Sequence, residues 1–203
     1  MLTDSQIKTL AKKMSVPLAD VCFKDELPRK LEYNKSYIVN MENSLNDEGK
    51  ENEGTHWVFL QVNKYPDGKI EPFYCDSYGV APPEEIKKFI KDNTGKYLPY
   101  NTKDVQSLMN NACGYYCLAI AHFINAFPYR SKDLYRDVET FLDLFDDLNK
   151  SVDWKKNEYI LQQFFMSPDK SRKVDVLADH IRSEDEEGGN DMMKIPCDVQ
   201  MIK

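Results

Sequence analysis

The chain has 203 residues, of which 41% are hydrophobic and 30% are charged. These values exclude a collagen, a coiled coil and a wholly disordered chain, and the length allows one domain with a buried core and an appendage. The net charge is −7, and −4 of it falls within residues 183–203, so the charge balance gives no support to a nucleic-acid partner. We predict a single domain over residues 1–182, followed by an acidic, flexible tail over residues 183–203.

The sequence also lacks the signs of a membrane protein, a disulfide framework or a metal site. No apolar run is long enough to span a membrane, and the first residues do not resemble a signal peptide. The cysteines are odd in number and irregularly spaced, and the three histidines lie far apart, which argues for a reducing compartment and against zinc. Nucleotide-binding, serine-hydrolase and metalloprotease motifs are absent. We therefore expect no cofactor, no metal and no membrane partner.

The first half of the chain predicts one helix, three strands and a second helix. A capping box opens the first helix, alternating apolar residues mark the strands, and a Pro-Asp-Gly turn joins the last two strands as a hairpin. In chain order, the predicted elements are a helix from Thr3 that Pro17 closes, a strand over residues 37–39, a buried strand over 57–62, a returning strand over 70–76, and a helix between Pro82 and Gly95.

The second half predicts helices. Residues 113–126 are nearly all apolar, which indicates a helix that is buried on every side and stops before Pro128. An apolar stripe predicts an amphipathic helix over residues 133–149, and a further helix covers 154–165. The order of helix, strands and helices is that of an α+β fold.

Cys113 is the first candidate for chemistry. A polar segment ends just before it, so it lies at or near the N-terminus of the buried helix. There the helix dipole favours a thiolate, which is the nucleophilic form of cysteine. The alternative is that Cys113, like Cys117 one turn further on, is simply a small apolar residue of a buried helix.

A nucleophilic cysteine needs a base, and His56 is the best-placed histidine. It stands at the head of the strongest predicted strand, where a rigid sheet can present a catalytic group. His122 lies nine residues beyond Cys113 in the same helix, too far along the axis for the two side chains to meet. We interpret His122 as a core histidine, and His180 lies near the predicted flexible end.

The hairpin register identifies an acid to orient the base. A turn centred on Asp67 places His56 opposite Tyr78, so Asp76 is a diagonal neighbour of His56 on the same face. Glu71 would lie roughly 24 Å along the strand from the histidine. A bulge after the turn would shift this register and separate Asp76 from His56. From these residues alone, a Cys-His-Asp site and a purely structural role both remain open.

These residues lie in three short motifs whose order and spacing resemble the adenain-like cysteine proteases, the group of the adenovirus maturation endopeptidase. That group shares a fold with the SUMO-deconjugating proteases. The resemblance covers Thr3 to Pro128. The motifs are Gly54-Thr55-His56-Trp57, Cys75-Asp76-Ser77-Tyr78-Gly79 and the segment from Gln106 to Cys117.

The resemblance implies a small mixed sheet flanked by a buried helix that bears the nucleophile. It implies Cys113 as nucleophile, His56 as general base, Asp76 as the orienting acid and Gln106 as an oxyanion donor with the Cys113 backbone N–H. Gln106 precedes Cys113 by seven residues, as in the adenain-like branch. No cysteine separates Cys75 from Cys113, so the disulfide activation of the adenovirus enzyme is not available.

Within that group, the chain is most similar to proteases of virophages, Maverick-type elements and large DNA viruses. We therefore expect a monomeric endopeptidase, in the virion and host cytoplasm, that cleaves capsid or core precursors at Gly-rich sites. Self-processing at Gly188-Gly189-Asn190 is a further hypothesis, against a plain linker. The alternatives are a deconjugating isopeptidase for a ubiquitin-like modifier, an acyltransferase on the same fold, and a non-catalytic interaction module.

Overall fold

The computed structural model of the chain describes residues 1–126, 132–150, 154–166 and 199–200. Its centre is one mixed sheet in which five strands lie side by side in chain order, with a two-residue sixth strand at the edge. The first and second strands pair in parallel, as do the fourth and fifth, and the other pairs are antiparallel. The strands are β1 (Leu18–Phe23), β2 (Ser36–Asn40), β3 (Trp57–Lys64), β4 (Ile70–Cys75), β5 (Tyr100–Asn101) and β6 (Val199–Gln200).

Five α-helices accompany the sheet within the described ranges. A capping box between Thr3 and Gln6 opens the first of them, as predicted, and Gly95 closes the second in the left-handed conformation that favours glycine. The helices are α1 (Asp4–Met14), α2 (Glu84–Thr94), α3 (Cys113–Ala126), α4 (Leu134–Leu142) and α5 (Trp154–Met166), and a short 3₁₀ turn covers Lys24–Glu26. The α+β class is thus confirmed.

Alternate residues of the central strands face two different layers of helices. Trp57 and Phe59 of β3 belong to the larger core, which α1, α3, α4 and α5 complete. Val58 and Leu60 belong to the smaller core, which α2 covers. This alternation follows from the two-residue period of a strand, and it makes β3 buried on both faces. The sheet therefore holds the start of β3 and the end of β4 rigidly between two apolar layers.

Three of the observed strands, β1, β5 and β6, were missing from the prediction, and β1 is the longest of them. β1 lies at the edge of the sheet, and its first residues are only partly buried. Its sequence shows neither alternation nor a continuous apolar run, so its parallel pairing with β2 has no local sign.

Two helix ends also differ from their predictions. α1 ends at Met14, three residues before Pro17, because Ser15 adopts a left-handed conformation with φ of 57°. The predicted helix over residues 133–149 is wrong in length, since α4 ends at Leu142. The amides that would continue it bond elsewhere: Asp146 N donates to Asn157 Oδ1 (2.7 Å) and Leu148 N to the Asp104 carbonyl (2.7 Å). Tertiary contacts thus end the helix.

Most of the predicted tail lies outside the described residues, as do His180, Cys197 and Gly188-Gly189-Asn190. Val199–Gln200 is the exception, and it pairs with Tyr100–Asn101 as β6. None of the helices in the described ranges is long and apolar enough to cross a membrane. Those same ranges contain no group of three or more His, Cys, Asp or Glu side chains that could hold a metal ion.

Candidate active site

The β3–β4 hairpin brings His56 and Asp76 together. The register pairs Phe59 with Cys75 and Lys64 with Ile70, which is the predicted register without a bulge. His56 stands just before β3 and Asp76 just after β4, and the distance from His56 Nε2 to Asp76 Oδ1 is 2.9 Å. Two residues 20 positions apart in sequence thus meet because the two strands pair without a register shift.

Asp76 is fixed by its own network of hydrogen bonds. The Tyr78 N–H donates to Oδ1 (2.8 Å), and the Tyr74 hydroxyl donates to Oδ2 (3.4 Å). On the backbone side, the Asn101 side chain accepts from the Asp76 N–H (2.9 Å) and donates to its carbonyl (2.7 Å). The carboxylate is 1% exposed. It is therefore shielded from water and has one direction left in which to orient the imidazole.

His56 is held by its neighbours in the loop and by Tyr78. The His56 carbonyl accepts from the Met41 N–H (2.9 Å), and its ring stacks on the Tyr78 ring with centroids 4.8 Å apart. Just before it, Gly54 has φ of 79°, and a Cβ there would overlap the Asn40 side chain. Glycine is required at this position because the turn into β3 is both left-handed and tightly packed.

Cys113 is the first residue of α3 and is 2% exposed. Its side chain is close enough to the His56 imidazole to raise the pKa of that ring. Since Nε2 of that ring is bonded to Asp76, Nδ1 is the nitrogen that remains for Cys113. The structure therefore brings together the three residues that the sequence singles out, with Cys113 at the positive end of a helix dipole.

The electrostatics of His56 favour its charged form. Burial by itself lowers the pKa of the imidazole, but hydrogen bonds with Asp76 and Cys113 and their negative charges raise it to about 9. The gain exceeds the desolvation cost because the two partners flank the ring on both sides. At neutral pH the ring is therefore an imidazolium that can act as a proton donor.

Gln106 lies beside this group, and its amide is fully engaged. Its Oε1 accepts from the Ser77 hydroxyl (2.7 Å), while its Nε2 donates to the Tyr78 hydroxyl (2.9 Å) and to the Asn110 carbonyl (3.1 Å). The side chain is 1% exposed. The direction of the amide is thereby fixed, with one N–H group toward the loop that leads into α3 and the other toward Tyr78.

The other described cysteines have the character of core residues. All are buried and unpaired. Burial raises the pKa of Cys22 to about 12 and raises the pKa values of Cys75 and Cys117 as well. Buried thiols in apolar surroundings are poor nucleophiles. Cys113 is distinguished from them by its contact with His56.

His122 and Trp57 also belong to the core. His122 is buried on α3, with Nδ1 3.2 Å from the Met14 carbonyl oxygen, as expected of a core histidine. Trp57 is 2% exposed, and its indole N–H donates to the Leu2 carbonyl (2.8 Å). The tryptophan beside His56 thus anchors the N-terminal segment against β3.

A cavity of about 370 Å³ opens next to the start of α3. It lies between α5 and the loop before Cys113. Glu158 is its one carboxylate, and the other lining side chains are amides, aromatic rings or aliphatic groups. The same loop exposes Leu108 (83%) and Met109 (88%) to solvent. The lining residues are Asn110, Asn111, Ala112, Tyr115, Glu158, Leu161, Gln162 and Phe165.

Sequence reasoning passed over Tyr78, which contacts both His56 and Gln106. The signal was present, because the hairpin register places Tyr78 opposite His56. Ser77 and Asn101 carried no comparable signal, since their roles depend on hydrogen bonds to distant residues.

Comparison with protein-family models finds no match to this chain, and a search among curated proteins finds none either.

Proposed function

We propose that this chain is a cysteine endopeptidase with Cys113 as nucleophile, His56 as general base and acid, and Asp76 as the residue that orients the imidazole. One observation carries the proposal: the His56 ring is bonded to the Asp76 carboxylate at 2.9 Å, and Cys113, at the start of a helix, is close enough to raise the pKa of the same ring. A nucleophile, a base and an orienting acid in sequential contact are the signature of nucleophilic catalysis. We also propose that the chain has the fold shared by adenain and the SUMO proteases. This proposal is supported by the same site geometry and by the three sequence motifs.

The reaction follows from these contacts. The Cys113 thiolate attacks the carbonyl carbon of the scissile peptide; a C–S bond forms and the carbonyl π electrons move to oxygen. As the intermediate collapses, the C–N bond breaks and the His56 imidazolium gives its proton to the leaving amine. His56 then takes a proton from water, which hydrolyses the thioester and restores the thiolate.

Gln106 and the Cys113 backbone N–H are the proposed oxyanion donors. In the free protein the Gln106 amide nitrogen donates to the Asn110 carbonyl and to the Tyr78 hydroxyl. Binding the oxyanion requires one of these N–H groups to turn toward it. Losing such a donor lowers the rate about a hundred- to a thousand-fold.

The proposed substrate is a polypeptide, namely a capsid or core precursor processed in the virion or the host cytoplasm. The viral role rests on the resemblance of the three motifs. Exposed Leu108 and Met109, and the cavity between α5 and the loop before α3, offer apolar surface to an extended peptide. Gly-rich cleavage sites, including Gly188-Gly189-Asn190 of this chain, are part of the proposal.

The first experiment is iodoacetamide labelling against pH, read by peptide mass spectrometry on the wild type and His56→Ala. We expect selective modification of Cys113 well below pH 8, lost in the variant. Cys22, Cys75 and Cys117 serve as internal controls, because burial raises their pKa values. If Cys113 reacts no faster than these three and is indifferent to His56, the thiolate–imidazolium pair does not exist and the proposal fails.

A second experiment identifies the reaction class. The wild type and Cys113→Ala are incubated with a proteome-derived peptide library, and new termini are sequenced. Cleavage by the wild type alone supports an endopeptidase, and cleavage confined to modifier-linked lysines would replace it by an isopeptidase. Acetyl transfer from acetyl-CoA without hydrolysis would indicate an acyltransferase instead. Intact mass after long incubation tests self-processing, which an unchanged C-terminus would exclude.

A further inference from the structure

We propose that the Tyr78 hydroxyl is a further oxyanion donor of this site. The inference rests on the proposed peptidase activity, and it adds a catalytic residue that the motifs did not identify.

Tyr78 is placed by the turn that follows β4. It lies two residues after Asp76, and its N–H bonds to the carboxylate of that residue (2.8 Å). Its ring stacks on His56 at an interplanar angle of 30°, and its hydroxyl oxygen is 2.9 Å from Gln106 Nε2. Tyr78 is only partly buried. One side chain thus contacts both the proposed base and the proposed oxyanion amide, and it can be reached by a substrate.

The Tyr78 hydroxyl accepts a hydrogen bond from Gln106, so its own proton is available to donate. The amide has two N–H groups, of which one faces the Asn110 carbonyl and the other the Tyr78 oxygen. Tyr78 is the acceptor in the second bond. No acceptor for its own hydroxyl proton is found in the part of the chain that the structure describes.

Two donors 2.9 Å apart can converge on one oxygen. A third atom at ordinary hydrogen-bond distance from each completes a triangle with sides of about 2.8 Å. When the carbonyl oxygen becomes an oxyanion, the Gln106 N–H and the Tyr78 O–H can both turn toward it. The bond between them in the free protein holds the two donors together before substrate arrives.

The surroundings keep Tyr78 in its donating form. Burial raises the pKa of the phenol, and the negative charges of Cys113 and Asp76 raise it further. The hydroxyl therefore remains protonated beside the thiolate. No proton is transferred in this role, because the hydroxyl stabilises the oxyanion until the C–N bond breaks and the carbonyl re-forms.

The test compares two small reagents on Tyr78→Phe, which keeps the ring against His56 and removes only the hydroxyl. Iodoacetamide alkylates the thiolate by displacing iodide, so no oxyanion forms. 4-Nitrophenyl acetate acetylates it through a tetrahedral oxyanion, with 4-nitrophenolate leaving. We expect the acetylation rate of Cys113 to fall about tenfold or more in the variant, with the alkylation rate unchanged. Neither reagent depends on a cleavage sequence.

Tyr97→Phe is the matched control, since Tyr97 is exposed and contacts Lys91 rather than the site. Equal losses of both rates in Tyr78→Phe would overturn the proposal, because Tyr78 would then act only through His56 or Cys113. Unchanged rates would overturn it too. A wild type whose Cys113 is not selectively alkylated would instead refute the peptidase itself.

A second variant covers the case in which phenylalanine disturbs the fold. Replacing Tyr78 by 3,5-difluorotyrosine keeps the hydroxyl and lowers its pKa. We expect acetylation to fall relative to alkylation as this phenol loses its proton. A constant ratio of the two rates over that pH range would contradict the role of the hydroxyl.

Discussion

At the level of single residues, His56 shows how neighbours reverse the effect of burial. Burial lowers the pKa of the ring, yet hydrogen bonds and charge from Asp76 and Cys113 raise it from 6.5 to about 9. A folded pKa above the unfolded one stabilises the fold fully below pH 6.5, and this stabilisation is lost as the pH rises through about 9. Alkaline conditions therefore weaken the site and the fold together.

Removal of Cys113 tests this coupling. In Cys113→Ala we expect the pKa of His56 to fall below 9, because one hydrogen bond and one negative charge are lost. The titration is followed through the imidazole resonances by NMR. Cys22→Ala, a variant in β1 and outside the site, should leave the pKa of His56 in place. An unchanged value in Cys113→Ala would show that the sulfur does not contact the ring.

Removal of the charge at Asp76 tests the orienting role. Asp76→Asn should lower peptide hydrolysis about a hundredfold and lower the pKa of His56, since the carboxylate charge is lost while the shape is kept. Tyr74→Phe removes the longer 3.4 Å bond to Asp76 and a 3.8 Å contact with the Met41 sulfur, but leaves the carboxylate charge, so we expect a smaller loss. The rate of peptide hydrolysis and the pKa of His56 are measured for both variants. Equal losses of hydrolysis in Asp76→Asn and Tyr74→Phe would contradict the role of the Asp76 charge in orienting His56.

At the level of elements, α3 carries the candidate nucleophile at its N-terminus, and most of the residues that follow are buried. Its N-terminus carries Cys113, and residues 116–124 are all buried, whereas Tyr115 is 37% exposed. Gly114 packs so closely on Leu2 that an added Cβ would lie 3.2 Å from its side chain. The core therefore fixes the helix over these residues, and with it the position of the Cys113 sulfur.

This burial can be measured by a pair of leucine substitutions. Leu118→Ala in α3 should lower the free energy of unfolding by about 2–5 kcal/mol, because it leaves a cavity in the core. Leu118 is fully buried, whereas Leu108 is 83% exposed. Chemical denaturation of Leu118→Ala and Leu108→Ala gives the comparison, with little change expected for the second. Similar losses in both variants would contradict the burial of Leu118 in the core.

At the level of the whole molecule, α5 supports the site from a distance. Asn157 is fully buried, and its Nδ2 donates to the carbonyls of Val105 (3.0 Å) and Asp146 (2.8 Å). Val105 directly precedes Gln106, so this amide links α5 to the segment that carries Gln106. A region outside the motifs thereby helps to position a proposed catalytic residue.

Asn157→Ala tests this link. Buried carbonyl and amide groups would lose their partner, at a cost of about 1–3 kcal/mol in unfolding free energy. We also expect hydrolysis to fall while iodoacetamide labelling of Cys113 persists, because Gln106 shifts and the His56 pair does not. Asn149→Ala, at an exposed asparagine, is the control. A loss of stability without any loss of hydrolysis would show that α5 does not help to position Gln106.

The sequence by itself determined the features that depend on local pattern. Hydrophobic periodicity, a capping box and turn residues predicted α1, β2, β3, β4, α2 and α3, and the hairpin turn predicted the register that joins His56 to Asp76. Each of these depends on residues close in sequence, so each leaves a readable pattern.

Only the tertiary structure decided the features that depend on distant partners. The parallel pairing of β1, the end of α4 at Leu142 and the bond between Tyr78 and Gln106 have no sign in their own segments. The same holds for the pKa of His56, because desolvation and charge act through space. A buried donor or acceptor pairs with whichever partner the fold places next to it, and that partner can be far away in sequence. Its identity therefore depends on the folded chain and cannot be predicted from the local sequence.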